Sequence, residues 1–305
     1  MLKQSRLIFI VGYGRSGSTI LDLLLGNSKK VAALGEVAYL TDAVWTSNHY
    51  CSCGKSASEC EYWSAFKTKW ELNSEITIES FLALEKRYSR LSGVTRLFFD
   101  KSIDSKSFNT YRKTVSNLYN ILLELNDGSI AIDASKLPFR LLILRVLGFR
   151  PFVIHLVRDG RAVLGSLKKG HRANLEKGVQ KALKPKPTIR VALGWGLANV
   201  FSELFSFGLN RILLRYEDLV TDPIFSLKRI ESGAEIELHE SKEIIVKNLP
   251  FIKRHTITGN RLRMSNEIRM VKIPDESWKK SLAVKDAKLF YILTMLLLKR
   301  YNYLK

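Results

Sequence analysis

Five consecutive apolar residues, Leu7-Ile8-Phe9-Ile10-Val11, run straight into Gly12-Tyr13-Gly14-Arg15-Ser16-Gly17-Ser18-Thr19, and a helical pattern follows at once. Hydrophobicity that is continuous rather than alternating belongs to a strand covered on both faces, which requires helices on either side of a sheet. Similar short runs recur at Ile130 to Ile132, Phe152 to Val157 and Ile212 to Tyr216. Thr19 to Leu25, Pro138 to Leu147 and Arg161 to Leu167 carry apolar residues at helical spacing after the first three of these runs. Strands that each feed a helix imply right-handed crossovers onto a central, mostly parallel sheet, so the expected fold class is α/β.

Two stretches interrupt the alternation. Residues 44–125, rich in Trp, Tyr and Lys, have helical segments and no convincing strand, and are expected to form a helical insertion over the strand ends. Residues 168–188 are poor in apolar side chains and rich in Lys and Arg, with Pro185 and Pro187 breaking helical structure, and read as a basic flap. Nothing resembling a linker divides the chain, so residues 1–305 are expected to form a single domain. With 46% apolar and 26% charged residues, disorder and collagen-like repeats are excluded. The apolar run after Met1 to Arg6 lacks a small-residue cleavage site and is read as a strand rather than a leader. The late apolar run from Leu289 to Leu298 is about half of what a bilayer-spanning helix needs. Three clustered cysteines, Cys51, Cys53 and Cys60, argue against an extracellular disulfide framework, and a cytoplasmic location is expected.

A net charge of +20 suits an anionic partner: nucleic acid, an anionic membrane or a phosphorylated small molecule. The opening loop offers the place for one, because a strand, a glycine-rich turn and a helix N-terminus aim several unpaired N–H groups at a single point. The Gly12 to Gly17 spacing matches a P-loop, yet Ser18 stands where nucleotide triphosphatases carry a lysine, and the nearby cation is Arg15. In a phosphotransferase that lysine neutralises the β and γ phosphates, so its replacement moves the cation to another part of the ligand. A second anion site is offered by Arg158, at the end of the Val153 to Val157 strand, and Ser166, about two turns into the next helix.

Taken together, Gly-x-x-Arg15-Ser16-Gly17-Ser18-Thr19 resembles the 5′-phosphosulfate loop of sulfotransferases that use 3′-phosphoadenosine 5′-phosphosulfate (PAPS), and the Arg158 and Ser166 pair resembles their 3′-phosphate signature. The resemblance implies a P-loop-like three-layer sandwich, PAPS as co-substrate and no metal requirement. It implies that Gly14, Arg15, Ser16, Gly17, Ser18 and Thr19 hold the 5′-phosphate and that Arg158 and Ser166 hold the 3′-phosphate. Glu36 follows the first helix at a spacing similar to that of the catalytic glutamate in tyrosylprotein and related sulfotransferases, which makes it the general base; an exposed or helix-capping glutamate is the other reading. Lys136, in Asp133-Ala134-Ser135-Lys136, resembles the Asp-Ser-Ser-Lys segment of bacterial members and would, with Arg15, stabilise the transferring group; a surface lysine is the alternative. Tyr216, in Arg215-Tyr216-Glu217-Asp218-Leu219, corresponds to a tyrosine near the adenine, or closes the core. His255-x-x-x-Gly259-Asn260-Arg261-Leu262-Arg263 resembles a bacterial His-x-x-x-Gly-Asn-Pro-x-Arg segment, with Arg261 replacing the proline. By that resemblance Arg263 completes the 3′-phosphate site and Gly259-Asn260 close over it.

His49, Cys51, Cys53 and Cys60 could ligate zinc, and a local disulfide or free buried thiols stay open beside that reading. His155, inside an apolar strand, reads as a core histidine. The expected acceptor is an acidic glycan, lipid or peptide, with no specific nucleic-acid partner. The amphipathic tail from Leu289 either packs on the core or makes a peripheral membrane contact. Two rival classes remain: a magnesium-dependent P-loop kinase or triphosphatase, with Asp133 on the metal, and a non-catalytic basic protein that binds nucleic acid or a membrane surface.

Overall fold

The computed structural model describes residues 7–304 except 90, 127–129, 171–173, 175–181, 183 and 272, so most of the expected basic flap lies outside the described residues. The chain runs through β1 (Leu7–Gly12), α1 (Ser18–Leu25), β2 (Val31–Ala33), α2 (Glu61–Asn73), α3 (Ile78–Ser89), α4 (Leu91–Ser102), α5 (Lys106–Glu124), β3 (Ile130–Lys136) and α6 (Pro138–Val146). It continues through β4 (Phe152–Val157), α7 (Gly160–Lys168), α8 (Thr188–Ser206), β5 (Arg211–Arg215), α9 (Tyr216–Thr221), α10 (Pro223–Ala234), α11 (His239–Val246), α12 (Trp278–Ser281) and α13 (Val284–Arg300). Among the described residues the strands form one parallel sheet in the order β2-β3-β1-β4-β5.

Both faces of that sheet are covered, which is why its central strands read as unbroken apolar runs. Leu7, Phe9 and Val11 of β1 pack with Trp63, Phe66 and Tyr119 of the insertion and with Leu141 and Leu144 of α6. Ile8 and Ile10 face the other way, onto Leu21 and Leu24 of α1, Leu227 of α10 and Ile245 of α11. The result is the three-layer, P-loop-like α/β sandwich. Helices α2 to α5 supply the insertion, and they bury an aromatic cluster of Trp63, Trp70, Phe81, Tyr88 and Tyr111 against the sheet's face rather than sitting over its strand ends.

Three expectations about strands need correction. β2 was invisible because an edge strand of three residues carries no periodicity. β5 is not a strand buried on both faces: it is the opposite edge, its Leu213 is 40% exposed, and Tyr216 already begins α9. β3 runs past its apolar start to Lys136 because the buried Asp133 carboxylate satisfies the polar end, accepting from Ser135 N (2.9 Å), the Ser135 hydroxyl and Tyr119 OH (2.6 Å). Both carboxylate oxygens of Asp133 are thereby engaged within the protein. The terminal helix α13 lies on α8, burying Phe290, Thr294 and Leu298 and leaving Ile292 and Leu296 exposed. No helix among the described residues is long and apolar enough to cross a membrane.

His155 of β4 is a core histidine, its Nε2 paired with Asn199 Oδ1 of α8 at 3.0 Å. Burial pulls its pKa from the ordinary 6.5 down to about 4; the Asn199 bond and Glu203 push the other way, and Arg211 and Arg300 add to the depression. A depressed folded value means the neutral form is favoured by folding, so this contribution is intact above about pH 6.5 and is lost as pH falls through 4. The expected result is that His155→Gln, which keeps a donor for Asn199 but cannot titrate, is less sensitive to acid than wild type, by up to about 3 kcal/mol between pH 7 and 4. Thermal unfolding of both proteins across that range is the check, and parallel pH profiles would contradict the assignment.

Candidate active site

Parallel sheets bind ligands beyond the carboxyl ends of their strands, where the strand order changes direction. Here that point is β1, between β3 and β4, and a cleft of about 400 Å³ opens above it. The loop after β1 is shaped by three positive φ angles: Gly12 at 149°, Arg15 at 71° and Gly17 at 91°. A Cβ on Gly12 would sit 2.3 Å from Leu156 O, and one on Gly17 would sit 2.3 Å from the Tyr216 ring, so both positions require glycine. Arg15 is a non-glycine residue in left-handed conformation, a strained state tolerated where a side chain must be aimed. α1 starts on Gly17 with no side-chain cap, so the Ser18 and Thr19 amides lie outside the helix ladder at the cleft's edge.

Arg158 enters from the end of β4. Its guanidinium lies over the Tyr216 ring, 4.4 Å from the centroid, donates from Nη1 to Arg15 O (3.2 Å), and faces Asp275 at 3.7 Å. Its backbone carbonyl is held by Trp195 Nε1 at 3.1 Å. Ser166, on α7, accepts from Arg15 Nε at 3.1 Å, which joins the two motifs directly. Burial pushes the Arg15 pKa down, and the like charges of Arg261 and Arg158 push it further. Concentrated positive charge with too little acid to balance it suits a multiply charged anion. A buried polar atom of the cleft supports the same fit, since Arg158 Nε has no hydrogen-bond partner among the described residues.

Across the cleft, Lys136 Nζ is paired with Glu36 Oε1. A register shift between β1 and β3, from Phe9 opposite Asp133 to Val11 opposite Lys136, ends the strand with Lys136 at a φ of 66°. Glu36 is fixed through its backbone: its N–H donates to Thr258 Oγ1 at 2.7 Å, and that hydroxyl contacts Glu36 O at 3.2 Å. Asn260 N donates to Thr19 Oγ1 at 3.2 Å, so residues 252–262 form a strap along the cleft.

The cleft is lined by Gly14, Arg15, Gly17, Ser18, Thr19, Glu36, Lys136, Arg158, Ser166, Tyr216 and Asn260. Two expected members lie elsewhere. Ser16 is buried behind the loop, and Arg263, 1% exposed, turns into the protein to donate to Tyr50 O (3.0 Å), its pKa pushed down to about 10 by burial. Arg261, noted in the sequence only as a departure from proline, is the strap residue whose charge reaches Arg15. Thr258 and Asp275 also escaped the sequence reading, since a threonine and an aspartate in loops carry no pattern. His49 stands by Asp42 (4.0 Å), and the fourth member of the cysteine cluster is His255. A larger cavity of about 550 Å³ lies at the opposite end of β1, between Leu7, Asn117 and Arg150, away from all of these groups.

No curated protein matches the chain. Similar solved structures include the sulfotransferase domain of the Synechococcus PCC 7002 olefin synthase, at 17% identity and TM-score 0.43, over 98% of this chain and 95% of that one. The sulfotransferase domain of the curacin biosynthetic pathway is 18% identical with TM-score 0.47, covering 93% of this chain and 95% of that one. The sulfotransferase STF9 from Mycobacterium avium is 12% identical with TM-score 0.49, covering 97% and 76% respectively. The model of the sulfotransferase family matches residues 7–240, and the chain belongs to that family.

Proposed function

We propose that this sulfotransferase takes its sulfuryl group from PAPS and delivers it to a hydroxyl or amine of an acidic acceptor. The observation that carries the reading is that the loop after β1 and the Arg158–Ser166 pair open into one cleft whose far wall holds the Glu36–Lys136 ion pair. PAPS, when bound, supplies an activated sulfuryl group and leaves as 3′-phosphoadenosine 5′-phosphate. The Ser18 and Thr19 amides at the start of α1 would hold the 5′-phosphate. Arg158, pinned between Tyr216 and the Arg15 carbonyl, would take the 3′-phosphate in place of Asp275, with the Ser166 hydroxyl beside it. Tyr216 offers a flat face on the same side of the cleft.

Glu36 and Lys136 divide the remaining work. Lys136, drawn towards the sulfuryl oxygens, releases Glu36 Oε1 to accept the proton of the acceptor's O–H or N–H as the new bond to sulfur forms. The bond between sulfur and the bridging oxygen breaks, and its electron pair goes to the departing phosphate, next to Arg15 and Lys136. Exposed Lys253 and Arg261 on the strap favour an acceptor with negative charge. No role in this chemistry is assigned to a metal.

Three outcomes test the reading. 3′-Phosphoadenosine 5′-phosphate, added without divalent cations, is expected to raise the melting temperature by about 5 °C or more at saturation, with AMP giving less than about a third of that shift. A larger shift with ATP and magnesium would return the chain to the kinase class. Arg158→Ala should erase the preference for the 3′-phosphate, because the guanidinium would otherwise be left desolvated without its anion; equal selectivity of variant and wild type in competition binding would remove Arg158 from the donor site. Glu36→Gln should bind donor normally and turn over at least about a hundredfold more slowly with any accepted acceptor, and near-normal turnover would mean that another group takes the proton.

A further inference from the structure

Away from the cleft's chemistry, three sulfurs and one imidazole nitrogen converge. Cys53 Sγ is 3.7 Å from Cys60 Sγ, His255 Nδ1 is 3.7 Å from Cys51 Sγ and 3.2 Å from Cys60 Sγ, and all four ligand atoms lie within 4.8 Å of one another. A tetrahedral zinc with bonds of about 2.3 Å to sulfur and 2.0 Å to nitrogen places its ligand atoms about 3.5–3.8 Å apart. A disulfide needs two sulfurs at about 2 Å and has no use for a third sulfur or an imidazole.

The local backbone is built to present these groups. Tyr50 and Ser56 bridge a tight hairpin in which Cys51 N donates to Lys55 O (2.8 Å), Gly54 N donates to Cys51 O (2.9 Å), and Gly54 takes a φ of 90°. Cys51 and Cys53 therefore leave one knuckle towards the same point. Cys60 sits at the N-cap of α2, so the start of that helix sets the point from which its side chain leaves. The Tyr62 ring stacks on the His255 imidazole, 5.3 Å between centroids and 3° from parallel, and fixes its plane. Cys51 and Cys60 are buried, whereas Cys53 and His255 are exposed, which leaves a side by which an ion enters.

We propose that Cys51, Cys53, Cys60 and His255 form a structural zinc site that clasps the strap to the insertion. The clasp has a reason in the surrounding bonds. Next to it, Ser52 N donates to Thr256 O (2.9 Å), Thr256 N donates to Ser52 Oγ (3.0 Å), and the Ser52 hydroxyl donates to Arg254 O. The strap then continues to Thr258, which holds Glu36, and to Asn260, which holds Thr19. A Cys3His set closes a tetrahedral ion completely, so the site is structural and leaves no position for a substrate. Four soft and borderline donors in that geometry select zinc over magnesium or calcium.

The test uses the full-length chain produced with zinc in the medium, and its readouts do not involve the sulfuryl donor. Elemental analysis is expected to give about one zinc per chain in wild type and in His49→Ala, and less than about a fifth of that in Cys60→Ser and His255→Ala. Should those two variants fail to fold, cobalt exchanged into wild type should show the strong visible absorption and thiolate charge-transfer bands of tetrahedral cobalt. Chelator should lower the wild-type melting temperature by about 5 °C or more, reversed by added zinc. Metal-free wild-type protein with three titratable thiols or with a Cys53–Cys60 disulfide would overturn the proposal, as would a His255→Ala protein that retains stoichiometric zinc.

Discussion

The guanidinium of Arg15 lies in a cleft under the like charges of Arg158 and Arg261, and the structure around it has to hold those charges in place. Like charges held close repel, so each has to be anchored from behind. Arg158 is anchored most heavily. Tyr216 lies under its guanidinium, Gly17 packs against the edge of that ring, and Trp195 holds its carbonyl. Asp159, the next residue, caps α7 through Arg161 N (2.9 Å) and receives Arg161's guanidinium, while its own N–H donates to Glu217 at 3.1 Å. Glu217 in turn accepts from Tyr303 OH at 2.6 Å, so the end of the chain braces the arginine from a distance.

The same logic explains why two charged residues adopt left-handed backbone. Arg15, in the loop after β1, and Lys136, at the end of neighbouring β3, both line the cleft, and an extended backbone there would send each side chain out of a sheet face instead of across the cleft. Turning through a positive φ costs of order 1 kcal/mol at each position, which packing beneath the loop and the β3 bulge offset. Strain of that kind, at two cations facing one ligand space, marks where the fold has been bent to the needs of a site.

Residues whose role is set by the nearby chain were legible in the sequence. The opening loop and Arg158 with its helix are each defined within about ten residues, so the local pattern pointed to them, while Lys136 stood out through the resemblance its short segment carries. Residues whose role comes from a distant partner were not. Arg261 acts on Arg15, Thr258 on Glu36 and His255 on Cys60 only after the chain has folded back across some two hundred positions. His49 lost its place among the cysteines for the same reason: it is their neighbour in sequence, but the hairpin turns it towards Asp42. Arg263 shows the converse case: the motif position was carried over, but the fold turns it inward onto Tyr50 O and leaves Arg261, two residues earlier in the same turn, exposed with its charge acting on Arg15.

The strap from 252 to 262 connects these observations physically. It belongs to no sheet and is held by side chains: Asn27 accepts from Ile252 N (2.6 Å), Ser52 grips its middle, and Thr258 and Asn260 bind the active-site residues. Ahead of the single 3₁₀ turn at Arg261–Met264 the strap has no ladder of its own, so its stability is set by such contacts, each worth about 1 kcal/mol. A ligand bound in the cleft would press against Gly259, Asn260 and Leu262, just past the point at which Thr258 holds Glu36. Anchoring the strap at His255, three residues before Thr258, therefore keeps Glu36 in register while the ligand bears on the residues beyond.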